Sequence, residues 1–338
     1  MTKVLVVGPS WIGDTVLAQP LFGLLHQKHP GLALDVLAAQ WTLPLLQRMP
    51  EVRRAIANPF DHGELRLTER RRLGASLAAE SYDQAIVLPN SLKSALVPFF
   101  AGIRRRTGYL GELRWGLLND TRRLDERALP LMVERFAALA GAAGEPLVRP
   151  LPPAHLKIDE KRRLSVLQKL ALAPRQPVIA LCPGAEYGPA KRWPAKYFAR
   201  LAQRLGSRGY DVWLVGSAKD AALGAEIATL SGAACVNLCG ATSLAEAIDV
   251  LASAQFVVSN DSGLMHVAAA LARPLAALYG SSSPAFTPPL SDRATILKLD
   301  LECSPCFRRE CPLGHFNCMM QLTPDQVFDA IDFDRIGP

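Results

Sequence analysis

Four consecutive apolar residues, Val4-Leu5-Val6-Val7, precede Gly8 with no polar position among them. An unbroken apolar run of this length is what a strand covered on both faces requires. Helical spacing follows over 15–27, with Pro20 inside that helix and expected to bend it. Residues 33–38, 52–57 and 85–88 read as further strands, and 92–100 and 131–140 as helices. A stretch rich in Gly and Pro then runs over 141–153 and includes Pro146, Pro150, Pro152 and Pro153. It reads as a domain boundary. After a charged helix over 159–170, the pattern restarts at Val178-Ile179-Ala180-Leu181. Strands are predicted over 212–215, 256–259 and 275–279, and helices over 197–205, 221–230, 244–252, 264–271 and 324–331.

Apolar strands alternating with helices in both halves predict an α/β protein made of two doubly wound, Rossmann-like domains facing each other across a cleft. The first domain spans 1–150, a linker 151–174 and the second domain 175–320. Residues 321–338 form a C-terminal helix expected to pack back on the first domain. Ligands of such sheets sit outside the carboxyl ends of the strands, which directs attention to the strand-end loops.

Composition narrows the class. With 338 residues, 49% hydrophobic and 20% charged, the chain suits two ordinary globular cores. No apolar window is long enough to cross a bilayer and the first residues do not resemble a secretory signal, so a soluble cytosolic protein is expected. The net charge of +7 is concentrated in arginines of the first 125 residues, among them Arg70-Arg71-Arg72, Arg104-Arg105-Arg106, Arg114 and Arg122-Arg123. Any one of these suits a solvated face. As a set they suit a phosphate- or carboxylate-bearing partner, because the guanidinium fork binds both bidentately. Contact of this basic half with anionic lipid headgroups stays open. Of seven cysteines, Cys182, Cys235 and Cys239 lie in or near apolar runs and read as small core residues. Cys303, Cys306, Cys311 and Cys318 crowd together with His315, but their short irregular gaps fit a reduced or redox-labile thiol cluster better than a zinc knuckle.

Four loops carry chemistry, one in the first half of the chain and three in the second. Gly8-Pro9-Ser10-Trp11-Ile12-Gly13-Asp14-Thr15 has nearly the spacing of a phosphate-cradling loop, but Asp14 stands where that motif needs Lys. A carboxylate there repels a triphosphate and is instead placed as a general base toward a substrate hydroxyl. Val257-Val258-Ser259-Asn260-Asp261-Ser262-Gly263-Leu264-Met265-His266 passes from strand to helix at once. The first amides of that helix would face an anion, with His266 within reach; the plainer alternative makes Asp261 or Ser262 a helix cap. Lys191-Arg192-Trp193-Pro194 follows another strand-end loop, where Lys191 can neutralise a diphosphate and Trp193-Pro194 stiffen the loop and start the next helix. Gly216-Ser217-Ala218-Lys219-Asp220 ends a third strand and could reach a base or ribose.

Gly13-Asp14-Thr15, Lys191-x-Trp193-Pro194 and Asn260-Asp261-Ser262-Gly263-x-x-His266 together resemble the ADP-heptose:lipopolysaccharide heptosyltransferases over essentially the whole chain. Residues 302–306 and 311–315 resemble the subfamily adding the second heptose. The resemblance implies the GT-B fold, inverting transfer of L-glycero-D-manno-heptose from ADP-heptose, no required cofactor and no catalytic metal. It makes Asp14 the general base and assigns Lys191, Asp261, Ser262, Gly263 and His266 to the donor. The first domain would then take the acceptor and the second the ADP-sugar. The chain departs from first-heptose enzymes at Glu186 and Tyr187, where those place hydroxyl residues, and Lys219 and Asp220 occupy the place of their nucleotide-binding acid. Arg104, Arg105, Arg106, Arg122 and Arg123 become candidate docking groups for a lipopolysaccharide inner core at the cytoplasmic membrane surface. No nucleic-acid partner is implied and a monomer is expected. Three alternatives are weighed: addition of the first heptose onto Kdo, an NAD-dependent oxidoreductase and a non-catalytic nucleotide-binding module. The oxidoreductase lacks GxGxxG and has only Asp35 for its ribose acid; the module leaves Asp14 without a role.

Overall fold

The structure, a computed structural model, describes residues 1–61 and 63–336. The chain divides into two compact units, Met1–His155 and Leu156–Pro338.

In the first unit six strands, β1 (Lys3–Val7), β2 (Ala33–Ala39), β3 (Arg54–Asn58), β4 (Gln84–Val87), β5 (Arg105–Tyr109) and β6 (Asp120–Arg122), form one parallel sheet in the order β3-β2-β1-β4-β5-β6. Every residue of β2 and four of five in β1 are buried, which is why their sequences show no alternation. The helices are α1 (Ile12–Leu17), α2 (Gln19–Lys28), α3 (Leu43–Leu46), α4 (Leu67–Ala78), α5 (Leu96–Phe100) and α6 (Met132–Ala137). The single helix expected over 15–27 is two: the helical run breaks at Ala18, and Pro20 sits in the first turn of α2, where its missing N–H costs nothing. Strands β5 and β6 escape sequence reading because all of their residues except Tyr109 are Arg, Asp, Thr or Gly, with β6 at the sheet edge.

Asp35, fully buried in β2, is a structural carboxylate. Arg53 grips it with Nε at 2.8 Å and Nη2 at 2.6 Å, and the Tyr82 hydroxyl donates to it at 2.6 Å. Burial works to raise its pKa, but the bonds from Arg53 and Tyr82 outweigh burial and hold it below the usual carboxylate value. That removes the one acid that could have served a dinucleotide ribose.

In the second unit, α7 (Glu160–Lys169), α8 (Ala195–Ser207), α9 (Ala221–Leu230), α10 (Leu244–Ala252), α11 (Gly263–Ala270), α12 (Asn317–Met320) and α13 (Pro324–Asp329) surround a second parallel sheet. Its strands are β7 (Val178–Cys182), β8 (Asp211–Leu214), β9 (Val236–Asn237), β10 (Phe256–Asn260), β11 (Leu275–Tyr279) and β12 (Ala294–Lys298), in the order β12-β11-β10-β7-β8-β9. Renumbered from its own first strand, this is the strand order of the first sheet. Both therefore reverse direction beside their opening strand, between β1 and β4 and between β7 and β10.

Two expected boundaries change. Helix α7, placed in the linker 151–174, belongs to the second unit: Val166 and Leu167 are buried, Lys169 pairs with Glu246 at 2.5 Å and Arg162 with Asp249 at 3.2 Å. The C-terminal helix belongs to the second unit. Val327 and Ile331 join Phe198, Leu201 and Leu205 in the second unit's core, because the apolar face of α13 docks on α8.

Candidate active site

Each sheet presents loops at its reversal point, and Asp14, Lys191 and Asp261 fall on the segments that follow those strands. In the first unit the Gly8 amide donates to the Leu37 carbonyl at 2.9 Å, and the Trp41 indole donates to the Ser10 carbonyl at 2.8 Å, fixing the loop between β1 and α1. Asp14 is in the first turn of α1, where the helix dipole favours an acid. It lines a cavity of about 420 Å³ at the carboxyl end of the sheet. Trp11, Asn58, Phe60, Asn90, Ser94 and Tyr109 share that lining, so the cavity mixes aromatic faces with hydrogen-bonding groups as a saccharide site requires.

Three cations line the cavity: Arg70, Lys93 and Arg135. Arg70 holds the loop walls together, donating to the carbonyls of Leu65 (2.6 Å), Glu64 (3.1 Å) and Lys93 (3.2 Å) with its guanidinium 4.0 Å from the Phe60 ring centre. Arg135 donates to the Leu129 carbonyl at 3.0 Å. Lys93 brings a half-buried ammonium.

Arg104, Arg105, Arg106, Arg122 and Arg123, expected to receive the acceptor, do not line this cavity. Arg105 and Arg122 both bind Asp120, and Arg122 also donates to the Gly141 carbonyl at 3.2 Å. Arg106 donates to the carbonyls of Leu117 (2.6 Å) and Ile103 (2.5 Å). These three stitch β5, β6 and the intervening loop together, whereas Arg104 and Arg123 are exposed. The spatial destination of an arginine run is set by the polar strands around it, which sequence reading missed.

In the second unit the reversal point is bridged by Asn260. Its amide donates to the Pro183 carbonyl at 2.7 Å and accepts from the Trp193 N–H at 3.1 Å, tying the end of β10 to the loop after β7. Trp193 is fully buried, with its indole N–H on the Leu322 carbonyl at 2.8 Å, and α8 starts directly after Pro194 as expected. Lys191 Nζ reaches Asp261 at 2.6 Å, and the same carboxylate oxygen accepts from the Ser282 hydroxyl. Asp261 therefore positions the lysine and is not a helix cap. Ser262 is the N-cap residue of α11, yet no side chain caps that helix. A helix N-terminus without a side-chain cap is a place where an anion can bind.

His266 lies in this helix, 3% exposed. Burial drives its pKa down to about 4, with Asp261 opposing and Lys191 reinforcing the drop, so the ring is neutral near pH 7. Its Nδ1, the Ser281 hydroxyl and Arg192 Nε are buried with no hydrogen-bond partner among the described residues. Arg192 follows Lys191, His266 lies on the helix that follows Asp261, and Ser281 precedes Ser282, whose hydroxyl donates to Asp261. Buried polar atoms rarely stay unsatisfied, so three around one lysine mark a place a polar ligand completes.

The loop 216–220 has a more internal role than expected. Asp220 is buried, accepts from the Ser217 amide at 2.9 Å and packs on Gly184, where a Cβ would lie 2.5 Å from its carboxylate. Lys219 pairs with Glu186. Sequence reading missed Ser281 and Ser282; the run Gly280-Ser281-Ser282-Ser283 at a strand end was the available signal. Cys182 and Cys239 are buried as expected and Cys235 half-buried. All seven cysteines are free, and Cys303, Cys306, Cys311 and Cys318 line one small cavity together with His315. Among the described residues no group of three or more His, Cys, Asp or Glu is arranged to hold a metal ion.

Known proteins are similar to this chain in sequence and fold. The chain is 48% identical over 339 residues to lipopolysaccharide heptosyltransferase 2 of Escherichia coli, with 98% of this chain and 97% of the relative covered. It is 45% identical to lipooligosaccharide heptosyltransferase 2 of Haemophilus influenzae over 98% of both chains. The solved structure of E. coli ADP-heptose LPS heptosyltransferase II superposes with a TM-score of 0.87 at 46% identity, over 97% of each chain, which shows the GT-B fold. Residues 70–317 match the family profile of glycosyltransferase family 9 (heptosyltransferase). With two parallel six-stranded sheets and both sets of reversal-point loops in place, the chain belongs to glycosyltransferase family 9 and is a glycosyltransferase of lipopolysaccharide core biosynthesis.

Proposed function

We propose that this enzyme moves L-glycero-D-manno-heptose from ADP-heptose onto the first heptose of the lipopolysaccharide inner core, with inversion at the anomeric carbon. The second unit takes the donor and the first unit the acceptor, at the cytoplasmic face of the inner membrane. The observation that carries the donor assignment is the buried set around Lys191: Ser281 Oγ, His266 Nδ1 and Arg192 Nε without partners, beside an uncapped helix N-terminus. On the acceptor side the reading is supported by Asp14, which lines a cavity large enough for sugar rings.

The steps follow from these groups. Asp14 accepts the proton of the acceptor hydroxyl as that oxygen attacks the anomeric carbon. Lys191, held by Asp261, and the first amides of α11 take up the charge developing on the departing diphosphate. These groups supply positive charge without an ion, so transfer is expected to survive chelation. Neutral His266 serves as a hydrogen-bonding partner of the donor and not as a cation. Lys93 is the cavity cation best suited to an acidic substituent on the acceptor.

The test is a transfer assay with ADP-heptose and purified inner-core acceptors carrying no heptose or one, with and without chelator. Transfer only to the one-heptose acceptor, unaffected by chelator, is expected. Transfer to the heptose-free acceptor moves the enzyme to the first addition, and loss of activity on chelation overturns the metal-free mechanism.

A further inference from the structure

The loop from Leu110 to Asn119 inverts the usual placement of polar and apolar side chains. Arg114 points inward and is 1% exposed, while Leu113 and Trp115 on either side of it are 70% and 68% exposed. The inversion is built in. Arg114 donates to the Pro89 carbonyl at 2.7 Å, to Asn90 Oδ1 at 3.0 Å and to the Tyr109 carbonyl. Glu112 accepts from the Leu92 amide at 2.7 Å, and Gly111 packs on Asn90. The loop is thus clamped to residues 89–92, whose neighbours Asn90, Ser91 and Lys93 line the Asp14 cavity, and it is held with its apolar pair outward. Two further apolar side chains, Leu110 and Phe99, are also exposed. Arg106 ties Phe99 to the same loop, with its guanidinium 5.5 Å from the ring and a bond to the Leu117 carbonyl.

Charge lies beside the apolar group. Asn119 donates to the Arg104 carbonyl at 2.6 Å, so the exposed Arg104 and Arg105 border the end of the loop, and Arg123 is exposed just beyond β6. Indole and aliphatic side chains rimmed by arginine match a membrane interface, where the rings sit among headgroups and the guanidinium meets phosphate. A lone exposed Leu or Trp needs no explanation, but an apolar pair held out by a buried arginine does.

We propose that the 110–119 loop docks the first unit on an anionic phospholipid bilayer, with Leu113 and Trp115 entering the headgroup layer and Arg104, Arg105 and Arg123 meeting lipid phosphate. The proposal rests on the reading that the acceptor is lipid-anchored, since docking beside the cavity mouth delivers such an acceptor to Asp14. It also gives the surface arginines a partner that the cavity does not.

The test is cosedimentation of the full chain with phosphatidylglycerol/phosphatidylethanolamine vesicles and with phosphatidylcholine vesicles. The wild type is expected on the anionic vesicles and released by salt; Leu113→Ser/Trp115→Ser is expected to bind at least tenfold more weakly. Transfer to a delipidated, water-soluble acceptor should be unchanged in that variant, while transfer to acceptor embedded in vesicles falls. Trp115→Phe supplies a second measurement, removing most of the quenching of tryptophan fluorescence by brominated lipid. Equal vesicle binding by wild type and double variant overturns the proposal, as does concentration-dependent self-association that the double variant abolishes. Loss of docking with soluble transfer intact leaves the proposed function standing, whereas no transfer to either acceptor overturns that function instead.

Discussion

Asp14 and His266 show how much one side chain depends on the element beneath it. Asp14 is in the first turn of a six-residue helix and borders the large cavity of its unit, so its oxygen can reach a bound hydroxyl. Replacing it by Asn keeps the shape and removes the proposed base. Turnover is expected to fall by roughly 10²- to 10⁴-fold, with ADP-heptose affinity retained by calorimetry; unchanged turnover overturns the assignment. His266 gives a pH prediction. Native His266 stays neutral down to about pH 4, whereas the unfolded chain protonates it near 6.5. Between those values the unfolded state holds more protons, so stability is lost as pH falls from 6.5 toward 4. The contribution is on the order of 3 kcal/mol, and His266→Gln is expected to flatten that part of the stability curve measured by denaturant unfolding.

Among the elements, the chain from Ser304 to Arg309 explains why Lys191 is where it is. The Ser304 hydroxyl donates to the Gly280 carbonyl at 2.7 Å, and the Phe307 amide donates to the Ser281 carbonyl at 2.6 Å. The Phe307 carbonyl accepts from the Tyr187 hydroxyl at 2.8 Å, and the Arg309 carbonyl accepts from the Ala190 amide at 3.0 Å. One strap therefore braces both the lysine loop and the serine loop. Gly188 permits the contact, since a Cβ there would lie 2.4 Å from the Arg309 oxygen. Gly188→Ala is expected to push the lysine loop off the strap and raise the KM for ADP-heptose about tenfold, an overpacking cost of about 1.4 kcal/mol, with the acceptor KM unchanged. Lys93→Ala, on the loop after β4, is expected to do the reverse, raising acceptor KM several-fold and sparing donor KM. Steady-state kinetics with each substrate varied separates the two.

Over the whole molecule, two sheets of identical strand order place one set of reactive loops each at the reversal point. On the proposed reading, donor contacts and acceptor contacts belong to different units. Added ADP is expected to slow amide exchange in peptides covering 183–192, 260–266 and 280–283, and to leave 8–14 and 88–94 unchanged. Protection of the first-unit loops by ADP alone would reverse the assignment of substrates to units. Among the described residues no helix is long and apolar enough to cross a membrane; on the proposed reading, the exposed Leu113 and Trp115 loop brings the first unit to a lipid-anchored acceptor.

Sequence pattern alone determined the doubly buried strands such as β1, β7 and β11, the helices 221–230 and 244–252, and the three motif loops around Asp14, Lys191 and Asp261. These are local: an apolar run or a strand-to-helix transition specifies its own conformation and puts its polar residues at a strand end. Tertiary structure decided the rest. It enrolled the polar strands β5 and β6 and the edge strands β9 and β12, because a ladder supplies hydrogen bonds that no local pattern announces. It moved α7 and the C-terminal helix into the second unit, because only the assembled core shows which apolar stripe each covers. It gave Asp35 to Arg53 and three of the five acceptor-candidate arginines to strand and loop partners, and it turned Arg114 inward with Leu113 and Trp115 out. A charged side chain pairs with whatever the fold brings within a few ångströms, and that neighbour comes from anywhere in the chain.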